Sequence, residues 1–404
     1  MDNSQILYMS TFPPRECGIA TFTQDLCHAM DQKFNPKVKS KIVAMDSNAS
    51  GSLKYNEDVI LNINDSNVQD YIDAAEKING MEDVKVVSIQ HEYGIFGGYY
   101  GEYLIKFVEI LNKPIFVTFH TIVPDNISTS ATRKRVLQVL AKKATQIIVL
   151  NKMAIDILKT DYNIDNSKIV VIPHGIHQVP FESSSHEKIK FGYENRLVLS
   201  TFGFLSRHKG YEHIIDSLPG VIEKFPQVLY LIIGGIHPSK FIKEGDSYLR
   251  ELKDKVQALG LQKHVIFIDR YVPLDELFRY LKATDLYLCH TNSEGQIVSG
   301  TLAYAMGCGR AVISTPFLHA KEIVTSDCGI IVDEFKRPTL FAKAIITLLS
   351  DPELLGKMGK NAYENTRPMV WSNVAELYMD FFKNSIGETT NIVPSSSSIP
   401  LQHL

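Results

Sequence analysis

The segment Gly203-Phe-Leu-Ser-Arg207-His208-Lys209-Gly210 crowds three basic side chains between two glycines. Arg207 and Lys209 in such a loop suit one chemistry above others, the electrostatic stabilisation of a departing diphosphate. A solvated basic turn is the bland alternative. Further along, Ser299-Gly300-Thr301 stands just before the apolar run Leu302–Met306. Small and hydroxylated residues at a helix start leave amides free, and the helix dipole adds to them, which makes a phosphate cradle. Gly307-Cys308-Gly309 is a fitting stop for that helix, and Arg310 beyond it reads as structural. Gly234-Gly235 permits the close approach of a base or ribose.

A second group lies nearer the N-terminus. In Thr11-Phe-Pro-Pro-Arg15-Glu-Cys17-Gly18 the glycine lets backbone approach a ligand, and Arg15 adds a cation. The spacing is not GxGxxG, so a dinucleotide fingerprint is absent. His91-Glu92-Tyr93-Gly94 would need a second histidine at position 95 to bind zinc as a peptidase does, and Ile95 stands there. Glu92 and Tyr93, followed by Gly94, Gly97 and Gly98, suit the recognition of sugar hydroxyls instead. His120-Thr121 and Pro173-His174-Gly175 place two more histidines at apolar-run ends. No DxD pair and no His/Cys cluster with metal spacing occurs, so nothing in the sequence calls for a metal or another cofactor.

These positions share a placement: each follows a short apolar run. Ile6–Met9, Ser40–Met45, Val84–Gln90, Ile115–Phe119, Gln146–Leu150 and Ile169–Ile172 read as buried strands, with helical patterns such as Thr21–Gln32 and Ala131–Lys143 between them. The alternation restarts with Leu197–Phe202, Val228–Ile233, Val265–Ile268, Leu286–Cys289, Ala311–Ser314 and Gly329–Val332. Alternating strands and helices predict parallel sheets, whose ligands sit beyond the carboxyl ends of the strands. The expected organisation is α/β. An N-terminal acceptor-side Rossmann-like domain covers 1–180 and a linker covers 181–195. A donor-binding Rossmann-like domain covers 196–369, a helix covers 370–385, and a tail rich in Ser, Thr and Pro covers 386–404.

Composition agrees with this. The 404 residues exceed one ordinary core. With 42 basic and 45 acidic residues the formal charge is −3, which asks for no nucleic-acid partner. Five cysteines (Cys17, Cys27, Cys289, Cys308, Cys328) form no CxxC pair, as expected in a reducing, cytoplasmic setting. No apolar run approaches the ~20 residues needed to span a bilayer, and the N-terminus shows no signal peptide pattern.

Over about residues 1–385 the chain resembles the GT-B fold, two doubly wound domains facing across a cleft, and within it retaining glycosyltransferase family 4. The resemblance rests on the Gly18 loop, Pro173-His174-Gly175, Gly203…Lys209-Gly210, the Ala305-Met-x-x-Gly-Arg-x-Val312 pattern and an aromatic-led last helix that crosses back to the first domain. It implies transfer of a hexose from GDP-mannose or UDP-glucose to a carbohydrate acceptor with retained anomeric configuration. His120 matches a histidine near the donor sugar, and Lys209 matches the lysine on the diphosphate. Donor binding is assigned to Gly18, Gly203, Gly234, Gly235, Glu294, Ser299, Gly300, Thr301 and Tyr304. Catalysis is assigned to His120, Lys209, Arg207 and Gln296, and acceptor binding to Arg15, Glu92, Tyr93 and His174.

The chain departs from the family's paired-glutamate signature. Gln296 stands at the first glutamate, Tyr304 at the second, and Glu294 two residues too early. Tyr304 offers one hydroxyl where the family grips ribose with a carboxylate. Phe204 replaces a usual arginine, with Arg207 as the substitute. Gln296-x-x-Ser-Gly-Thr-Leu-Ala-Tyr304-Ala resembles a subgroup, associated with mannose metabolism, whose members sometimes carry a C-terminal glycosidase-like domain. Pro400-Leu-Gln-His-Leu404 resembles the start of one. Three other readings stay open: a phosphorylase using inorganic phosphate, a non-catalytic glycan-binding module, and a sugar-nucleotide epimerase.

Overall fold

The structure, a computed structural model, describes residues 4–47, 53–236 and 246–386. The chain divides into two units. One comprises the residues through Gly175 together with those from Met369 onward, and the other runs Ile176–Pro368. Beyond Ile386 the expected tail, with the segment Pro400–Leu404, lies outside the described residues.

The first unit is built on a seven-stranded sheet of β1 (Ser4–Ser10), β2 (Val38–Asp46), β3 (Val59–Asn64), β4 (Val84–His91), β5 (Ile115–Phe119), β6 (Gln146–Val149) and β7 (Ile169–Val171). Their order is β3-β2-β1-β4-β5-β6-β7, all parallel. Ile6, Leu7, Val86, Val87, Val117 and Ile148 are wholly buried, as strands covered on both faces must be. β3 has no counterpart among the predicted runs. It is an edge strand, mostly half-buried, and Asn62 and Asn64 break its apolar pattern. The helix Gly18–Phe34, which follows β1, packs against the last helix, Trp371–Ile386.

The second unit holds β8 (Leu197–Phe202), β9 (Val228–Ile233), β10 (Val265–Ile268), β11 (Leu286–Cys289), β12 (Ala311–Ser314) and β13 (Gly329–Ile331). The order β10-β9-β8-β11-β12-β13 is again fully parallel. One face is packed by Leu199, Ile214, Tyr230, Leu288, Ile313 and Phe341. Each such side chain contributes roughly 1.5–3 kcal/mol on burial. In both units the strand order reverses beside the first strand, between β1 and β4 and between β8 and β11. The carboxyl ends at such a switch point are where ligands bind in open α/β sheets.

The stretch 181–195, read as a linker, is instead part of the second unit and carries the helix Ser185–Phe191. Pro180 and Ser183–Ser185 suggest a linker, but the charged residues of the stretch are paired with the second unit. Glu187 is buried and meets Lys190 at 2.6 Å and Arg279 at 3.1 Å, and buried Lys188 pairs with Asp285. Among the described residues no helix is long and apolar enough to cross a membrane.

Candidate functional site

In the second unit the loops after β8 and β11 meet at the switch point. Gly203 and Gly234 take φ of +125° and +127°. A Cβ on Gly234 would lie 2.4 Å from the Gly203 oxygen, and one on Gly235 would lie 3.2 Å from the Arg270 backbone. Gly234 and Gly235, expected to admit a ligand, thus also admit the chain's own backbone. The chain then forms a short turn, Arg207–Lys209, and Gly210 at φ +61° directs it into the helix Tyr211–Lys224.

Lys209 is the central group. Lys209 is half-buried, and desolvation pushes its pKa down, with the Cys289 thiol beside it among the described residues. A partly desolvated ammonium of this kind gains from a nearby anion. Arg207 lies in the same turn, yet its guanidinium forms a bidentate pair with Glu251, both contacts at 2.6 Å, over the Tyr248 ring.

Ser299 caps the helix Gly300–Gly307. Its hydroxyl accepts from Leu302 N at 3.3 Å and lies 3.1 Å from the Thr301 hydroxyl, while its own amide donates to His319 Nδ1 at 3.0 Å. The positive end of that helix, with Gly300 and Thr301 in its first turn, favours a phosphate. Gln296 braces its own loop by donating to the Val298 carbonyl at 2.8 Å. Glu294 lies on a cavity of about 680 Å³ with Lys321, Asp333 and Glu334. Tyr304 is mostly buried, with its ring 5.7 Å from His177, 6.1 Å from Phe278 and 6.3 Å from Phe202.

In the first unit Gly18 opens the helix after β1, with open space where a Cβ would stand. No side chain caps that helix. Arg15 donates to the Met45 carbonyl at 3.1 Å. Beyond β4, Glu92 accepts from Tyr93 N at 2.9 Å and from the Thr121 hydroxyl. Burial pushes its carboxyl up, and those two bonds offset part of the shift. Tyr93 sets its ring edge-on to His91 at 5.1 Å. His120 and His174 both meet the Phe22 ring, at 4.6 and 5.1 Å. His120 and His174 are therefore gathered around one aromatic side chain. Gly175 is glycine because Trp371 lies against it: a Cβ there would come 2.2 Å from the indole. That contact anchors the last helix to the first unit.

Several residues are given no place in the site by the sequence reading. His91 is wholly buried with neither ring nitrogen hydrogen-bonded. Burial pushes it to about 3. His290, Thr291 and Asn292 follow β11 directly and bond the Arg207–Lys209 turn. Inspecting every strand end, β11 included, would have found them.

Residues 183–365 match the family described as Glycosyl transferases group 1, and residues 81–178 match Glycosyltransferase Family 4. The fold is GT-B, and the two matched segments are similar to glycosyltransferase families. The chain is 28% identical over 186 residues to the putative glycosyltransferase YtcC of Bacillus subtilis, covering 45% of this chain and 43% of that protein. It is 24% identical to the mannosylfructose-phosphate synthase of Agrobacterium fabrum, covering 59% and 52%. A phosphatidyl-myo-inositol mannosyltransferase of Mycobacterium leprae is 25% identical, with 68% of each chain covered. The matches span about half the length of the first of these curated relatives. The fold is that of Anabaena Alr3699/HepE in complex with UDP and glucose, with TM-score 0.74, 17% identity, 94% of this chain and 100% of that chain covered. It is equally that of sucrose-phosphate synthase from Thermosynechococcus elongatus, with TM-score 0.74, 17% identity and coverage of 95% and 99%.

Proposed function

We propose that the chain transfers a hexose, mannose or glucose, from a nucleoside-diphosphate sugar to a carbohydrate acceptor with retention at the anomeric carbon. The observation that carries this reading is Lys209, a partly desolvated ammonium in the turn after β8, at the switch point of the second unit. Relatives named as mannosylfructose-phosphate synthase and mannosyltransferase, and a structural neighbour holding UDP and glucose, support the substrate class.

In this reading Lys209 and the helix start Gly300-Thr301 hold the diphosphate. The bond between the anomeric carbon and the diphosphate oxygen breaks, and its electron pair stays on the diphosphate. The acceptor hydroxyl oxygen bonds to the same face of the anomeric carbon, and its proton passes to the leaving diphosphate. Lys209 stabilises the charge that develops, so the step as written routes through no metal. Glu92, Tyr93 and the His120–His174 group of the first unit bind the sugar-bearing partners. Localisation in the cytoplasm belongs to this reading as well.

One observation favours a second reading, a phosphorylase. The helix Gly300–Gly307 carries no carboxylate, and Tyr304 is packed among rings where a ribose would be gripped. Thermal unfolding with GDP, UDP, ADP and inorganic phosphate separates the two. A ligand at ~100 times its dissociation constant adds roughly 2.7 kcal/mol to the native state. A melting shift with one nucleotide and none with phosphate supports the transferase and names the base. A shift with phosphate alone replaces it with the phosphorylase.

A further inference from the structure

The sheet order sets β8 beside β11, so the loops that leave their carboxyl ends run together. The tripeptide after β11 takes hold of the turn after β8 by its carbonyls, one after another. His290 Nδ1 lies 3.0 Å from the Lys209 oxygen. The Thr291 hydroxyl donates to the His208 oxygen at 3.2 Å, and the Asn292 amide donates to that same oxygen at 2.7 Å. Asn292 Nδ2 donates to the Arg207 oxygen at 3.2 Å. Three consecutive carbonyls of the cationic turn thus accept bonds from three consecutive residues more than eighty positions away in the chain.

We propose that His290, Thr291 and Asn292 are positioning residues that clamp the Arg207–Lys209 turn so that Lys209 is held ready for a diphosphate. The inference rests on the reading of Lys209 given above. Two physical consequences of the clamp favour it. Carbonyl dipoles repel a diphosphate, and here all three are turned into hydrogen bonds with protein donors. A lysine side chain has a long flexible stem, so a fixed backbone lowers the ordering cost of presenting its ammonium.

His290 has a defined tautomer in this arrangement. A carbonyl only accepts, so Nδ1 carries the hydrogen. Burial pushes His290 to about 4, which keeps the ring neutral, and its Nε2 is buried without a partner. An orphaned nitrogen of this kind is a cost that the fold retains at the switch point. The fit is close: a Cβ on Gly210 would stand 2.4 Å from His290 Nδ1, so the turn sits directly on the imidazole.

The test uses the full chain and calorimetric titration with pyrophosphate, UDP and GDP. Asparagine carries an N–H donor at the same number of bonds from Cα as histidine Nδ1, so His290→Asn keeps the clamp and His290→Ala removes it. His290→Ala and Asn292→Ala are each expected to weaken pyrophosphate and nucleotide binding roughly 3- to 10-fold, the worth of one hydrogen bond. His290→Asn is expected to recover wild-type affinity. A merely structural His290 would lower the melting temperature and leave the affinity of the folded protein unchanged. If His290→Ala does not fold, Asn292→Ala and Thr291→Val carry the test, since both act at the half-buried margin of the clamp or keep side-chain shape. Wild-type affinity in all of these variants, with binding lost in Lys209→Ala, overturns the clamp and leaves the diphosphate reading standing. Unchanged binding in Lys209→Ala overturns the reading itself, and the clamp with it.

Discussion

His120 Nε2 lies 3.0 Å from Gln90 Oε1, and the Gln90 amide nitrogen in turn donates to the Ser88 hydroxyl at 3.1 Å. This chain assigns the tautomer. The Gln90 oxygen faces the ring, so Nε2 carries the hydrogen and Nδ1 keeps its lone pair. Burial pushes His120 to about 3, with the neighbouring His174 and His91 adding to the shift. The ring is therefore neutral at physiological pH and serves as a hydrogen-bonding group, not as a cationic acid. Gln90→Leu keeps the volume and removes the acceptor. Release of nucleoside diphosphate from the donor sugar should slow roughly 3- to 10-fold, the worth of one hydrogen bond. An unchanged rate would mean that the tautomer does not matter to transfer.

Lys209→Ala should remove turnover with any phosphate-bearing donor. Contacts of this kind are typically worth ~10²-fold or more. Activity above about a tenth of wild type would defeat the diphosphate assignment.

The buried histidines set an acid limit on stability. His91 has a folded pKa of about 3, against an ordinary value near ~6.5. Between those values the unfolded chain binds a proton that the folded chain refuses. The stabilisation is thus complete above about pH 6.5 and is lost progressively as pH falls toward 3, at about 1.4 kcal/mol per pH unit. Phe96, Phe119 and Tyr93 surround the ring, so His91→Phe retains the packing. In urea denaturation the stability of the variant relative to wild type should rise by about 2 kcal/mol between pH 7.5 and pH 5. Parallel curves at both pH values would show that His91 is not a buried neutral base.

Two glycines with similar backbone provide a paired test. Gly210 (φ +61°) and Gly192 (φ +71°) both lie in the left-handed region, yet a Cβ at 210 meets His290 and a Cβ at 192 meets nothing within 4 Å. Each alanine variant should lose about 1 kcal/mol for the backbone strain. Only Gly210→Ala should also weaken UDP or GDP binding, because only it lifts the turn off the imidazole. Equal affinities by calorimetry would count against that seating.

Tyr304 stands among Phe202, Phe278 and His177. Tyr304→Phe keeps those ring contacts and should hold nucleotide affinity within about twofold, whereas Tyr304→Ala should cost about 3–5 kcal/mol of stability. A tenfold fall in affinity for the phenylalanine variant would instead put the hydroxyl on the nucleotide.

Trp371 is the chain's single tryptophan and lies on Gly175. Gly175→Ala would drive a methyl to 2.2 Å from the indole. The expected result is a loss of about 1–3 kcal/mol from overpacking, together with a red-shifted tryptophan emission as the last helix loosens. Unchanged emission would place the anchor elsewhere.

The sequence by itself determined the two α/β units and twelve of the thirteen strands among the described residues. The reason is local: a parallel strand buried on both faces reads as an unbroken apolar run, and the residues just after it must lie at one edge of the sheet. It failed where a local signal was cancelled by a distant partner. The segment 181–195 looked like a solvated linker until Asp285 and Arg279 were seen to neutralise Lys188 and Glu187. Tyr304 shows nothing in its local sequence of the rings of His177 and Phe278 that pack against it. Tertiary structure alone decided which loops touch. His290 reaches the Lys209 carbonyl across 81 residues because β8 and β11 are neighbours, and no local spacing encodes which strands of a sheet lie side by side.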